Sequence, residues 1–289
     1  MANLSYELIA ASTPFTILVG PERKKFNIHR ELLASMSKKL DTLVNGKMIE
    51  ARDGLVDWGD LDEQTFLCFF EYAYTGDYNI PQLRGNGRAH NDISRSQNDD
   101  QSQVHNISAG FSGCSSVLSD NKLRMRCPQC SRNVVVPVPA PPPKAKDLLW
   151  LKFISLEYPG PLPKANTTPP NGSVSLELSR MILSHARVYV LADYQLINNL
   201  KLLSLKKLHQ CLKGSELTSE GAETIASLAA YCYDNTADSD PKDQLRELLC
   251  LYLACKVEQM WENASFRKAL EASRDLARDV IEQMLNRLD

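Results

Sequence analysis

Two short stretches hold residues whose types and spacing could do chemistry. Cys127-Pro-Gln-Cys130, in "KLRMRCPQCSRN", carries two thiols at the C-x-x-C spacing that lets one turn of chain grip a zinc ion. A closed site needs four ligands. No second C-x-x-C or paired histidines follow, and Cys114, His105 and His90 are the nearby candidates. Three arrangements stay open: a full zinc site, a loose thiol pair, and a knuckle completed by another chain. Redox use lacks the βαβ surroundings of a thioredoxin-like motif. The second stretch is His29-Arg30, in "FNIHRELLASMS". A catalytic histidine needs a nucleophile and an orienting group close by, and no G-x-S-x-G or H-E-x-x-H signature appears. Both residues are therefore expected to be structural, His29 bonding backbone at a strand-to-helix corner and Arg30 laying its stem over apolar surface. The chain is expected not to be an enzyme.

The elements that position these residues follow from apolar periodicity. Phe15, Ile17 and Val19 alternate as a half-buried strand requires; Gly20-Pro21 begins a turn, and Phe26 and Ile28 alternate again, which predicts a hairpin. "HRELLASMS" starts a short helix, and Ser37 can cap a second through Leu40, Leu43 and Val44. Val56 and Trp58 predict a third strand. Asp60 with Glu63 forms a capping box for a helix whose apolar face is Phe66, Phe69, Phe70 and Ala73 and which ends at Gly76. Beyond, Met181 to Ala192, Leu196 to Leu212 and Ile225 to Cys232 predict three helices. Leu245 to Met260 predicts a fourth and Phe266 to Leu288 a fifth.

Composition divides the chain. From Pro81 to Ser173 it turns polar and then proline-rich, with "VPVPAPPP" and "PGPLPKANTTPPNGS", a composition that reads as mostly disordered. Residues 147–158, "DLLWLKFISLEY", form an apolar island expected to dock as a short helix. The "PAPPP" run could meet an aromatic-lined groove or serve as a spacer. Net charge is −2, so no global basic field favours nucleic acid or an anionic membrane, and "KLRMR" is too short to argue for nucleic acid. No apolar run approaches the roughly 20 residues of a membrane helix, and the N-terminus lacks the layout of a secretory signal. The expectation is an intracellular protein, nuclear or cytoplasmic. Of the eight cysteines, Cys211, Cys232, Cys250 and Cys255 fall in helical patterns, where cysteine acts as a small buried apolar residue.

The blocks "FTILVGPERKKFNIHRELLASMSKKL" and "GLVDWGDLDEQTFLCFFEYAYTGDY" resemble the first two-thirds of a BTB/POZ domain. "LLSHARVYVLADYQLINNLKLLSLKKLHQCL" resembles its closing helix pair. The arrangement is similar to single-domain BTB proteins of fungi. The resemblance implies an α+β fold with a short mixed sheet and a helical cluster. The first part would span 1–80, the insertion 81–173 and the closing helices 174–212, with a helical extension over 213–289. His29, Arg30, Tyr74 and Gly76 would be the domain's structural signature. The family usually places an acid just before the first strand, facing the arginine; here Pro14 stands there.

The resemblance further implies protein partners, through self-association into a homodimer or recruitment of another protein. In adaptors for cullin-type ubiquitin ligases an apolar-x-Glu motif in the loop before the third strand plugs into the scaffold. Met48 and Glu50 occupy that place, Met48 as the apolar plug and Glu50 as the polar contact. Substrates would then meet the insertion or the terminal helices. The alternative from another class is a zinc-dependent, nucleic-acid-associated or transcriptional regulator built on Cys127 and Cys130.

Overall fold

Phe15, Ile17 and Val19 line the buried side of β1 (Pro14–Val19), each almost without exposed surface. A strand whose alternate residues are all buried needs partners on its edges, and β1 has two. It pairs antiparallel with β2 (Lys24–His29), from Pro14 opposite His29 to Val19 opposite Lys24. It pairs parallel with β3 (Leu55–Trp58), from Thr16 opposite Leu55 to Val19 opposite Trp58. The mixed sheet runs β2-β1-β3. The computed structural model describes residues 5–80, 122–126, 133–137, 144–160, 172–173 and 176–285. The chain divides into two units, Met1–Leu83 with Lys144–Asp289, and Arg84–Pro143.

In the first unit, α1 (Tyr6–Ala11), which sequence periodicity does not reveal, precedes the sheet on a Ser5 cap. Next come α2 (Arg30–Met36), α3 (Lys38–Asn45) and α4 (Ile49–Asp53). Ser37 caps α3, its Oγ accepting from the Leu40 N–H at 3.1 Å. The cap of α5 (Glu63–Thr75) is Asp62, not the expected Asp60. Its carboxylate accepts from the Thr65 N–H at 2.9 Å and the Thr65 hydroxyl at 2.7 Å. Asp60 falls too early, inside the turn closed by the Leu61 N–H on the Trp58 carbonyl. Gly76 ends α5 at φ 75°, its N–H on the Tyr72 carbonyl, a left-handed stop that glycine adopts without steric cost.

The helices after residue 144 are α6 (Ala145–Ile154), α7 (Leu176–Tyr194), α8 (Asn198–Gly214), α9 (Ser219–Asn235), α10 (Gln244–Trp261), α11 (Ala264–Ala272) and α12 (Arg274–Leu285). Two residues from each of Gly172–Ser173 and Ser215–Glu216 pair in parallel. The α7–α8 pair serves two apolar cores. Val188, Leu191, Ala192, Leu200 and Leu203 join the core beneath the sheet with Phe66 and Phe69. Ile182, Tyr189, Leu208 and Leu212 join a second core with α9 to α12. A helix apolar on both faces is stable only between two layers. The same logic buries α10 from Leu248 to Cys255. Phe153 of α6 is fully buried; its carbonyl lies 2.9 Å from His209 Nε2, and Lys213 donates to the Ile154 carbonyl at the helix end.

Two predicted helices are corrected. Leu196 is not helical; it sits exposed at φ 56° in the turn before α8. The fifth predicted helix is two, because Ser273 breaks it and offers its Oγ to the Leu276 N–H as a new cap.

In the second unit, within the stretch read as mostly disordered, strands Lys122–Arg126 and Asn133–Pro137 pair antiparallel. The Val134-Val135-Val136 run favours a strand through its β-branched side chains. Among the described residues no helix is long and apolar enough to cross a membrane.

Candidate partner-binding face

Arg30 fixes the geometry of this face. Its Nη1 donates to the Val44 carbonyl at 2.7 Å and its Nη2 to the Ala51 carbonyl at 3.2 Å. One guanidinium thus caps the end of α3 and clamps α4 to it, while its flat face lies over the Phe15 ring with Cζ 5.6 Å from the centroid. This corrects the expectation that Arg30 serves through its stem alone. Where the resemblance implies an acid opposite the arginine, Pro14 is occupied in the ladder against His29, and backbone carbonyls take the acid's place. Gly46 and Gly54 make the clamp possible. A Cβ on Gly46 would lie 2.2 Å from the Thr42 carbonyl oxygen, and Gly54 turns the chain at φ 65°.

His29 is also corrected. Its partner is a side chain, with Nδ1 2.8 Å from the Tyr74 hydroxyl, and the rings meet edge to face. Its backbone N–H donates to the same hydroxyl at 3.3 Å. Two of the expected signature residues, 45 positions apart, are thereby brought together at the end of α5.

Met48 and Glu50 lie not in a loop but at the start of α4, with Met48 in the N-cap position. Met48 is 62% exposed and Ile49 59%, so two large apolar side chains stand side by side on a clamped helix. Glu50 is half-buried, and its Oε2 is covered without a hydrogen-bond partner. Beside Met48 opens a cleft of about 510 Å³ walled by Leu43, Val56, Trp58 and Tyr194. Lys39 holds the far wall, its Nζ 3.3 Å from the Tyr194 ring centroid and donating to the Tyr194 carbonyl.

A buried polar group that periodicity does not reveal joins the segment after α5 to α7 and α8. Lys207 Nζ stands 2.6 Å from Asp77 Oδ1, donates to the Tyr78 carbonyl and lies over the Tyr78 ring. The Tyr78 hydroxyl is 2.8 Å from His185 Nδ1, and His185 Nε2 is buried without a partner. Burial first, then the nearby Lys207 charge, lowers the His185 pKa to about 3, keeping the imidazole neutral; Asp77 opposes. The available signal was one lysine placed where the α8 pattern wants an apolar residue.

Cys127 and Cys130 lie outside the described residues. Among the described residues no three His, Cys, Asp or Glu side chains form a group that could hold a metal. The described cysteines are all buried. Burial pushes Cys68 up to about 11 and Cys211 and Cys250 up to about 12, which suits packing rather than reactivity.

The site is thus a small mixed sheet under a helical cluster, with an exposed apolar pair beside an aromatic cleft. Residues 12–90 match the family model of the BTB/POZ domain, and that stretch of the chain is a BTB/POZ domain, a protein–protein interaction module. No curated protein matches the chain.

Proposed function

We propose that this chain is an adaptor whose BTB/POZ domain docks on a cullin-type ubiquitin ligase scaffold through Met48 and Glu50. The observation that carries the reading is the exposure of Met48 and Ile49 on α4, held by the Arg30 clamp beside the Trp58–Tyr194 cleft. Preorganised apolar side chains lose little freedom on binding, so their burial appears as affinity.

In this reading α7 and α8 close the BTB domain across the insertion, supported by the residues they add to the core under the sheet. The terminal helices would be the platform from which substrates are presented. The apolar island before α7 supports the likeness to fungal single-BTB proteins. The test is recovery of the full chain on a purified, immobilised cullin scaffold, wild type against the Met48→Ala, Glu50→Ala double variant. Recovery of the wild type alone is expected. Equal recovery, or none from the wild type, overturns the proposal.

A further inference from the structure

A second groove, about 620 Å³, opens on the other side of Trp58, between the β3–α5 turn, the end of α7 and the end of α9. Asp57, Asp60 and Asp62 line it against a single cation, Arg187. Arg23 neutralises Asp57 at 2.9 Å, and Asp62 is engaged in capping α5 with Arg187 at 3.8 Å. The Asp60 carboxylate has no partner among the described residues, so the groove keeps an uncompensated negative charge.

The floor supplies an independent observation. Gln195 is only 4% exposed, yet its side-chain amide has no hydrogen-bond partner among the described residues, and it lines this groove as well as the Met48 cleft. Its stem is buried while the amide itself still reaches the groove, so its donor and its acceptor are both open to a ligand there. The Tyr231 hydroxyl on the α9 wall is likewise unpartnered among the described residues. Trp58, Tyr194 and Tyr231 add aromatic surface for stacking.

We infer that this groove binds an extended peptide segment bearing a lysine or arginine, the cation facing Asp60 and a backbone amide pairing with Gln195. A peptide unit presents one N–H and one C=O, the complement of a carboxamide. The groove is open and shares Trp58, Tyr194 and Gln195 with the Met48 cleft, which gives it the length of a chain segment rather than the shape of a closed small-molecule pocket. The inference does not rest on the cullin reading, because neither Asp60 nor the α9 wall belongs to the Met48–Glu50 motif.

The experiment titrates the purified full chain into fluorescein-labelled hexapeptide sub-libraries with Lys, Arg, Ala or Glu fixed at each position, read by anisotropy. Tighter binding of the Lys- and Arg-fixed pools is expected. Asp60→Asn, an exposed change that leaves the α5 cap intact, weakens the best pool about fivefold. Gln195→Met weakens it by about the same factor, and added salt weakens it further. Indifference to the fixed residue, preference for Glu, or unchanged affinity in Asp60→Asn would overturn the assignment. So would agmatine alone binding as well as the peptides, since that would make the ligand a small cation.

Discussion

Lys207→Met tests whether the segment after α5 and helix α8 are pinned together by a buried ion pair. Lys207 and Asp77 side chains are 1% and 8% exposed and 2.6 Å apart. Removing one member of a buried pair leaves an uncompensated charge and costs about 3–5 kcal/mol. Asp77 Oδ1 also accepts from the Tyr78 N–H at 2.8 Å. That bond survives the substitution and sets the expected loss near the lower end, about 3 kcal/mol. The double variant Asp77→Asn, Lys207→Met removes both charges, and should be more stable than the sum of the single losses predicts by about 1–3 kcal/mol. Urea unfolding followed by far-ultraviolet circular dichroism and tryptophan fluorescence measures all four proteins. A loss below about 1 kcal/mol in Lys207→Met, or strict additivity in the double variant, would refute the pin.

Arg30, Gly76 and His185 each carry a further expected outcome. Arg30→Met removes the donors to the Val44 and Ala51 carbonyls, at about 1.5–3 kcal/mol per charged bond; hydrogen exchange should rise selectively across Ile49–Asp53, and uniform exchange would contradict the clamp. Gly76→Ala forces a side chain into φ 75° and should cost about 1 kcal/mol in chemical unfolding. His185, with its folded pKa near 3 against 6.5 when unfolded, binds a proton only in the unfolded chain as pH falls below 6.5. Its share of stability is whole above that value and is lost on acidification, by about 2 kcal/mol between pH 7 and 5. The deficit of His185→Leu relative to wild type should shrink by that amount over the same range, and a constant deficit would show that His185 titrates normally in the folded protein.

What was legible in the sequence had a period or a unique conformational need. Phe15, Ile17 and Val19 alternate because one face of β1 is core, and Gly76 stands where only a left-handed residue ends the helix. Asp60 and Asp62 could not be ranked as caps, since both are acids at plausible offsets and only the turn closed by Leu61 decides between them. The break at Ser273 was hidden because serine is tolerated inside helices as well as at their starts. The partners of Arg30 were not legible because they are backbone carbonyls, which have no sequence signature. For the candidate face, Met48 and Glu50 could be named from position in the family pattern. The clamp that presents Met48, the covering of Glu50 Oε2 and the neighbouring Gln195 amide arise from tertiary packing alone.

The most direct test of the central claim is isothermal titration of the purified full chain with a purified cullin-type scaffold, for wild type and Met48→Ala. Burying a methionine side chain at an interface contributes about 1.5–3 kcal/mol. Measurable wild-type binding that weakens by about 10- to 100-fold in the variant, with unchanged unfolding, is therefore expected. No heat from the wild type, or dissociation constants within about twofold of each other, would contradict it.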